Sequence, residues 1–524
     1  MHHNQGENRN QLFMFSYDQV VTQDAFVRVI DVFVDMLDLK SLGFSHVDTL
    51  EEGRPPYHPG LLLKLYLYGY HYGIRTSRKL EREAQLNMEV NWLLHGQHPK
   101  NRTISEFRKI HPKAFKEVFR RFVYLLKQWD FIEGETIAID SFKIRACNSL
   151  KNNFNDRKLK QHIEYIDKKI AEYEDALNEA EDEEKQDIEK KIEQKNQQKE
   201  KYQNVKQQLS EQNQEQISLT DPDARAVVLH RNIVNVGYNI QASVDAKHKL
   251  LVECDTGEVN DTHALAPVAI ATKELLKVES MNTLADKGYH TGEQLKKCDE
   301  HNITCYVSPK APAKKDVGLY PITDFTYDCS TDSYTCPAGN TMTSSGRFYN
   351  HSSKGGITPY KFKRYQTPVC KTCKLRSKCT ASERNGRCID RSEYAGIIEE
   401  NQKRVIENPD YYRLRQQIAE HMFGTFKRQR GFTYTLVKGK ENVLSEVRLV
   451  FLTYNLGRIA RILGVRELVE RLKDSISLNF GNCRNTLSRF YNGNLKPQEN
   501  QESAYSTFKW LQMSIIRKYA LNLI

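Results

Sequence analysis

Three acidic residues sit where an acid is costly unless it lies at an edge, is paired or binds a metal. Asp140 ends the run Thr136-Ile-Ala-Ile-Asp140, whose alternation and β-branched residues predict a strand. Asp286 ends a second short predicted strand, Asn282-Thr-Leu-Ala-Asp286, and Glu420 falls inside a predicted helix. Carboxylates converging from separate elements suit phosphodiester cleavage with two divalent cations about 4 Å apart. One Asp bridges both ions and the other two acids hold one ion each. Mg²⁺ accepts such sparse carboxylate ligation and keeps part of its water shell. The three acids are more than a hundred residues apart in sequence, so their spacing alone is no motif. His290 and His263 are near at hand, but a metal-activated water needs no such base. His263 reads with Asp261 as part of a helix cap, and both histidines stay outside the catalytic set.

A second set of residues suits a different metal. Residues 321–390 lose hydrophobic periodicity and hold Cys329, Cys336, Cys370, Cys373, Cys379 and Cys388. Cys370-Lys-Thr-Cys373 has the spacing of a zinc knuckle, Cys379 follows closely, and Cys336-Pro-Ala-Gly supplies a thiolate at a turn. The favoured ligands of a structural Zn²⁺ are Cys336, Cys370, Cys373 and Cys379. Cys329 competes with Cys336, and Cys388 substitutes for Cys379. The plainer reading is a set of reduced cysteines without metal.

The elements that must position these groups are read from pattern. Residues 18 to about 130 are expected to be helical. Proline opens one helix after Tyr57-His, and Thr76-Ser-Arg-Lys and Thr103-Ile-Ser-Glu carry N-cap residues for two more. Arg75, Arg78, Lys79, Arg82, Arg102, Arg108 and Lys109 along these short helices fit a helix-turn-helix DNA reader. A plain helical bundle with a solvated basic face fits them equally well. Ile163, Ile166, Ile170, Tyr173, Leu177 and Ala180 form a heptad seam that Tyr202, Val205 and Leu209 resume, which predicts an antiparallel coiled-coil hairpin. Beyond it, Gly237–Asp245 and Leu250–Asp255 read as a strand hairpin, Ala264–Leu276 as a helix, and Thr304–Ser308 as a strand after a further helix. The order implies an α/β fold with helices against a mixed sheet. Helices return from Pro409 to Gly464, and a last one is expected near Phe508–Leu523.

Composition bounds the class. The chain has 524 residues, 78 Lys+Arg against 67 Asp+Glu and a formal net charge of +11, which suits a polyanionic partner without requiring one. No apolar run approaches the ~20 residues needed to cross a bilayer. The opening MHHNQGENRNQ lacks a hydrophobic core, so no secretory signal is expected. Eleven cysteines then point to a reducing compartment. A cytoplasmic protein without membrane association is expected.

Several stretches carry a resemblance. Ile137-Ala-Ile-Asp140-Ser, Ala285-Asp286-Lys-Gly-Tyr289 and Ala419-Glu420-His-Met-Phe-Gly-Thr-Phe-Lys427-Arg428 resemble, in order, the three acidic motifs of bacterial insertion-sequence DDE transposases. Leu219-Thr-Asp-Pro-Asp-Ala-Arg225, Gly237-Tyr-Asn-Ile-Gln241 and Tyr454-Asn-Leu-Gly-Arg458 are similar to that family too. The likeness covers roughly residues 18–465 and is nearest to the eleven-eighty-two group of insertion sequences. It implies an RNase H-like core in which Asp140, Asp286 and Glu420 hold two Mg²⁺ (or Mn²⁺) ions. Glu420 and Lys427 match the last two members of the family's Tyr, Arg, Glu, Lys signature. Tyr412, Arg413 and Arg415 lie upstream, but none gives the family spacing. Lys427 is expected at a DNA phosphate near the cut, with an exposed helix lysine as the rival reading. Arg428, Arg78 and Lys79 are also expected on DNA.

The implied partners are the terminal inverted repeats of a mobile element and its target DNA, met by a homodimer or larger assembly at the bacterial nucleoid. The expected division is a DNA-binding domain over 1–130, a catalytic core over 131–320 and 391–465, a coiled-coil insertion over 155–215, a zinc-ribbon-like insertion over 321–390 and a helical tail over 466–524. The alternatives are a catalytically silent DNA-binding descendant of a transposase, and an RNase H-like nuclease that cuts without rejoining.

Overall fold

The computed structural model describes residues 14–48, 55–148, 150–211, 216–230, 233–257, 259–309, 318–351, 359–382 and 386–475. The helix expected near Phe508–Leu523 lies outside them. Seven helices come first: α1 (Tyr17–Val20), α2 (Phe26–Asp35), α3 (Pro59–His71), α4 (Ser77–Leu86), α5 (Met88–Leu93), α6 (Asn101–Ile110) and α7 (Pro112–Gln128). Their starts follow local chemistry. Pro59 begins α3 behind His58, whose Nδ1 accepts from Gly60 N at 3.2 Å, and Thr76 caps α4 through Lys79 N. α6 starts earlier than the expected Thr103, with Lys100 at its N-cap. α3 is apolar almost all round and is buried almost all round. Its one interior cation, Lys64, is held by Asp31 at 2.5 Å and Asp35 at 2.8 Å.

The chain then lays down β1 (Thr136–Arg145), the short β2 (Asn153–Asn155), the long helices α8 (Asp156–Glu179) and α9 (Asp182–Glu211), and β3 (Gln216–Ser218). α8 and α9 pack against each other through Leu159, Val205 and Leu209, with Lys199 reaching Asp167 across the pair at 2.7 Å. β2 and β3 pair antiparallel at their root, which brings the two ends of this excursion back together.

The central sheet is completed by β4 (Arg225–His230), β5 (Ile233–Asp245), β6 (Leu251–Thr256), β7 (Met281–Ala285) and β8 (Ile303–Val307), with α10 (Leu265–Leu276) and α11 (Gly292–Glu300) between them. Its order is β4-β5-β1-β7-β8, and β6 pairs with the second half of β5. β5 runs antiparallel to β1, β4 and β6, whereas β7 and β8 run parallel to β1 and to each other. Gly237 lets β5 lie close to β1, since a β-carbon there would strike the carbonyl oxygen of Ile144. β4 is absent from the expectation because its run is short and partly exposed.

A second sheet accounts for the cysteine-bearing stretch, where the sequence shows no periodicity. Five antiparallel strands, β9 (Thr326–Asp328), β10 (Ser333–Thr335), β11 (Thr341–His351), β12 (Tyr360–Gln366) and β13 (Ile389–Ser392), stand in the order β13-β12-β11-β10-β9. Most of β11 is exposed on both faces, so alternation has nothing to report there. A one-turn helix, α12 (Arg376–Cys379), precedes β13.

The chain closes on α13 (Ala395–Glu407), α14 (Pro409–Gly424), a π-helical turn (Thr425–Gln429) and α15 (Lys440–Leu463). One continuous apolar core, from Val21 to Leu472, includes the N-terminal helices, the central sheet and α15. Among the described residues, no helix is long and apolar enough to cross a membrane.

Candidate active site

The sheet brings Asp140 and Asp286 together. β1 and β7 are parallel, with Ile139 opposite Ala285, so the next residue on each strand is the acid. Asp140 Oδ1 accepts from Ser141 N at 2.7 Å, and Asp286 Oδ1 accepts from Lys287 N at 2.7 Å. Burial pushes the Asp140 carboxyl up to about 6, helped by the charges of Asp261 and Asp286 and opposed by the Ser141 bond and Arg415. Arg415 reaches Asp286 Oδ1 at 3.6 Å as the counter-charge to the pair.

Helix α14 covers this acid pair. Asp140 and Phe142 are two apart on β1 and share a face. Phe142 meets Phe423 of α14 at 4.9 Å between ring centroids and Phe426 at 6.1 Å. Glu420 stands one helical turn before Phe423, exposed on the same helix. Lys427 is half-buried, and burial together with Lys143 holds its ammonium below the usual range against the pull of Asp140. It belongs to the π-turn, where Arg430 N donates to Thr425 O at 3.1 Å. The expected α-helical progression from Glu420 to Lys427 is therefore widened by one residue. Arg428, beside it, is exposed. Among the described residues, no three His, Cys, Asp or Glu side chains converge closely enough to hold one ion. The acids brought together are Asp140 and Asp286, with Asp261 nearby, while Glu420 waits on the covering helix.

Asp261 departs from its expected part as a cap. α10 begins after Ala264 with no side-chain cap bond, and Asp261 Oδ1 instead accepts from Asn239 Nδ2 at 2.8 Å and Gln241 Nε2 at 2.9 Å. Tyr289, fully buried, donates its hydroxyl to Gln241, and burial followed by the charges of Asp261, Asp140 and Asp286 raises it far above its ordinary value. The signal available in the sequence was Asn239, Gln241 and Ser243, polar at every second position of an otherwise apolar strand.

An acid held near 6 makes cation binding pH-dependent. A cation displaces the Asp140 proton, so Mn²⁺ affinity is expected to climb as pH rises toward 6 and to level off above it. The folded chain holds this proton more tightly than the unfolded chain. The stability Asp140 contributes is therefore present below about pH 4 and is lost as pH rises through 6. Mn²⁺ titrations between pH 5 and 8 check this, and a flat profile in the wild type would contradict it.

Residues 15–110 match the family model described as Transposase domain (DUF772), and residues 335–460 match the one described as Transposase DDE domain. Both matches are to transposase domains, the second of the DDE type. Glu420 and Lys427 lie inside the second match, whereas Asp140 and Asp286 precede it. No curated protein matches the chain. Among solved structures, a piggyBac transposase synaptic complex with hairpin DNA is similar at 10% identity, with 91% of this chain and 87% of that chain covered and a TM-score of 0.31. That likeness is too distant to carry weight.

Arg78 and Lys79 lie exposed in the first turn of α4. Arg75 and Arg108, expected on the same basic surface, are buried instead. Arg75 Nη1 donates to Glu446 of α15 at 3.0 Å, and Arg108 Nη1 donates to the Tyr70 hydroxyl at 3.2 Å. They tie helices together and are out of reach of a ligand.

Cys336, Cys370, Cys373 and Cys379 line a single cavity of about 20 Å³, room for one small occupant. Burial and the other three sulfurs push the Cys379 thiol up. Cys336 opens a turn closed by Gly339 N to Cys336 O at 2.8 Å, and Cys370 lies in a short 3₁₀ turn. Cys329 and Cys388 are exposed and line none of it. No two of the described cysteines are joined.

Proposed function

We propose that this transposase cuts the phosphodiester at the ends of its element and joins the freed 3′-OH to target DNA, with Asp140, Asp286 and Glu420 as the carboxylates that hold divalent cations. The single observation that carries the reading is the register of β1 and β7, with Asp140 and Asp286 side by side under α14. The residues fit a hard cation: the donors are oxygens, two acids adjoin, and their near counter-charge is Arg415 at 3.6 Å. When bound, Mg²⁺ or Mn²⁺ would supply Lewis-acid stabilisation of the attacking and leaving oxygens. Asp140 must first lose its proton, which the pH of the cell provides. Lys427, close to Asp140, suits a phosphate of the strand being cut, and Arg428, Arg78 and Lys79 suit phosphates farther along. The order β6-β5-β1-β7-β8, three strands antiparallel and two parallel, supports an RNase H-like core over 131–320 and 391–465. The helix pair over 155–215 and the small sheet over 321–390 read as insertions of an eleven-eighty-two group member. Two element ends must be held at once, so a homodimer or larger assembly on DNA is expected.

The test is incubation with Mg²⁺, a supercoiled plasmid and duplexes carrying the inverted repeats that flank the gene. Covalent end-to-plasmid products are expected. Nicks without joined products would instead leave a nuclease, and binding without either would leave a silent DNA-binding protein.

The shared cavity favours a structural Zn²⁺ at Cys336, Cys370, Cys373 and Cys379, whose sulfurs would have to close in on it, since no three of them converge as the described residues stand. The buried core beside it is only Phe325, Tyr334, Met342, Tyr365 and Ile389, too small to hold five strands unaided. Elemental analysis of protein purified without added metal is expected to find about one Zn²⁺ per chain, and Cys370→Ser with Cys373→Ser to remove it. Zinc-free protein that melts normally would refute the site.

A further inference from the structure

The hairpin of β11 and β12 outgrows the small sheet that carries it. Of its two strands only Met342 and Tyr365 belong to the buried core there. Beyond a bulge between Ser344 and Phe348, where Gly346 takes φ +76°, the strands pair again as far as His351 and Tyr360. β13 pairs with β12 only from Phe362 to Tyr365, so Asn350–Lys361 and His351–Tyr360 stand as a ribbon of two strands. Such a ribbon is marginal in water by itself. It nevertheless presents Phe348 at 57% exposure and Tyr349 at 42%.

Opposed residues of the hairpin share a face. One face stacks Tyr349 on Phe362 at 5.6 Å and His351 on Tyr360 at 4.8 Å between ring centroids. The other carries Phe348 beneath the Lys363 ammonium, with Asn350 and Lys361 beyond it. The charge is all of one sign. Residues 341–366 hold five Lys and Arg and no Asp or Glu, in a chain whose 524 residues include 67 acids. Lys363 and Arg364 are held by Asp332 at 2.8 Å and Asp390 at 2.7 Å. Arg347 and Lys361 are exposed, and neither is in an ion pair among the described residues. Glu393 meets the backbone N of Lys361, at 2.9 Å, and not its ammonium.

We propose that the outer half of this ribbon enters a groove of duplex DNA, with Arg347 and Lys361 on phosphates. The major groove, about 12 Å wide, admits a two-stranded ribbon and sets phosphates along both of its walls. Rings exposed on the ribbon then lie against sugars and base edges. An unpaired strand is the poorer fit, because Phe362 is buried and Tyr349 already stacks on it. The inference rests on DNA as the partner in the proposed function and adds a contact separate from the acid site.

The experiment follows the fluorescence anisotropy of a labelled random-sequence duplex with the full chain, without divalent metal, over a range of KCl concentrations. Arg347→Ala with Lys361→Ala is expected to weaken binding about 10- to 100-fold at about 0.1 M KCl. The slope of log K against log[KCl] should become shallower by about 2. Arg347→Lys with Lys361→Arg should bind as the wild type does, which separates lost charge from lost fold. Lys191→Ala with Lys201→Ala, both exposed on α9, removes as much charge and should leave the slope alone. An unchanged slope in the ribbon variant overturns the inference. An equal change in the α9 variant does so too, since net charge alone would then account for it. If the wild type binds no duplex, the proposed function fails along with the ribbon. If it binds and the ribbon variant matches it, only the ribbon contact falls.

Discussion

Asp140→Asn is expected to lower DNA strand cleavage in Mg²⁺ by about a thousandfold or more, ~4 kcal/mol of barrier, while DNA binding persists. The amide is nearly isosteric and can still accept from Ser141 N, so the strand has no reason to move. What disappears is the negative charge. The same substitution should stabilise the fold at pH 8. Burial and two neighbouring acids hold Asp140 up at about 6, so its ionised form is a cost the folded chain bears, up to about 3 kcal/mol. A dead enzyme with an equal or higher melting point is thus the expected pair of results, the signature of a site kept at the expense of stability. Asp286→Asn and Glu420→Gln are expected to be equally inactive. Near-wild-type cleavage by any one of the three removes that residue from the cation site. Were Glu420→Gln alone active, the third carboxylate would pass to a neighbour such as Asp245 or Asp261.

The second large effect concerns stability. Glu446→Leu is expected to cost about 3–5 kcal/mol, because it leaves Arg75 buried without its partner. Glu446 is 0% exposed and accepts from Arg75 Nη1 at 3.0 Å, from the Tyr70 hydroxyl at 3.0 Å and from Leu436 N at 2.9 Å. Arg75 also lies over the rings of Phe432 and Tyr434, at 4.9 and 4.8 Å from their centroids. This network joins the connection between α3 and α4 to α15. Its loss should lower the denaturant midpoint, with the N-terminal helices still sharing one apolar core with α15. Adding Arg75→Met should recover part of the loss, since an apolar pair leaves no orphaned charge. A change below about 1 kcal/mol in Glu446→Leu would show that the network contributes little.

The α/β character was legible in the sequence because it depends on short-range pattern. Alternation with β-branched residues marks β1 and the end of β7, so pattern alone puts both acids at strand ends. Pro59, Thr76 and Pro409 open helices for local steric and capping reasons, and of the apolar stripe Ile166, Val205 and Leu209 are buried. Patterns of this kind report how a residue is buried within its own element and nothing about which element comes next to it. The adjacency of Asp140 and Asp286 is a parallel pairing between distant segments. Arg75 and Arg108 look like surface cations in sequence, and only the arrival of Glu446, Tyr70 and α15 makes them interior. Asp261 has the position of a helix cap, yet two amides on β5 compete for it and win, because buried amide donors without an acceptor would cost more than an uncapped helix end. The small sheet of β9–β13 leaves no trace in the pattern because its strands are either very short or, like β11, largely solvated, so their partners arise from pairing alone. Residue type and spacing thus determined which groups were available for chemistry. Tertiary structure decided which of them share a low-dielectric site, because charge, desolvation and hydrogen-bond competition act through space between segments that the sequence holds far apart.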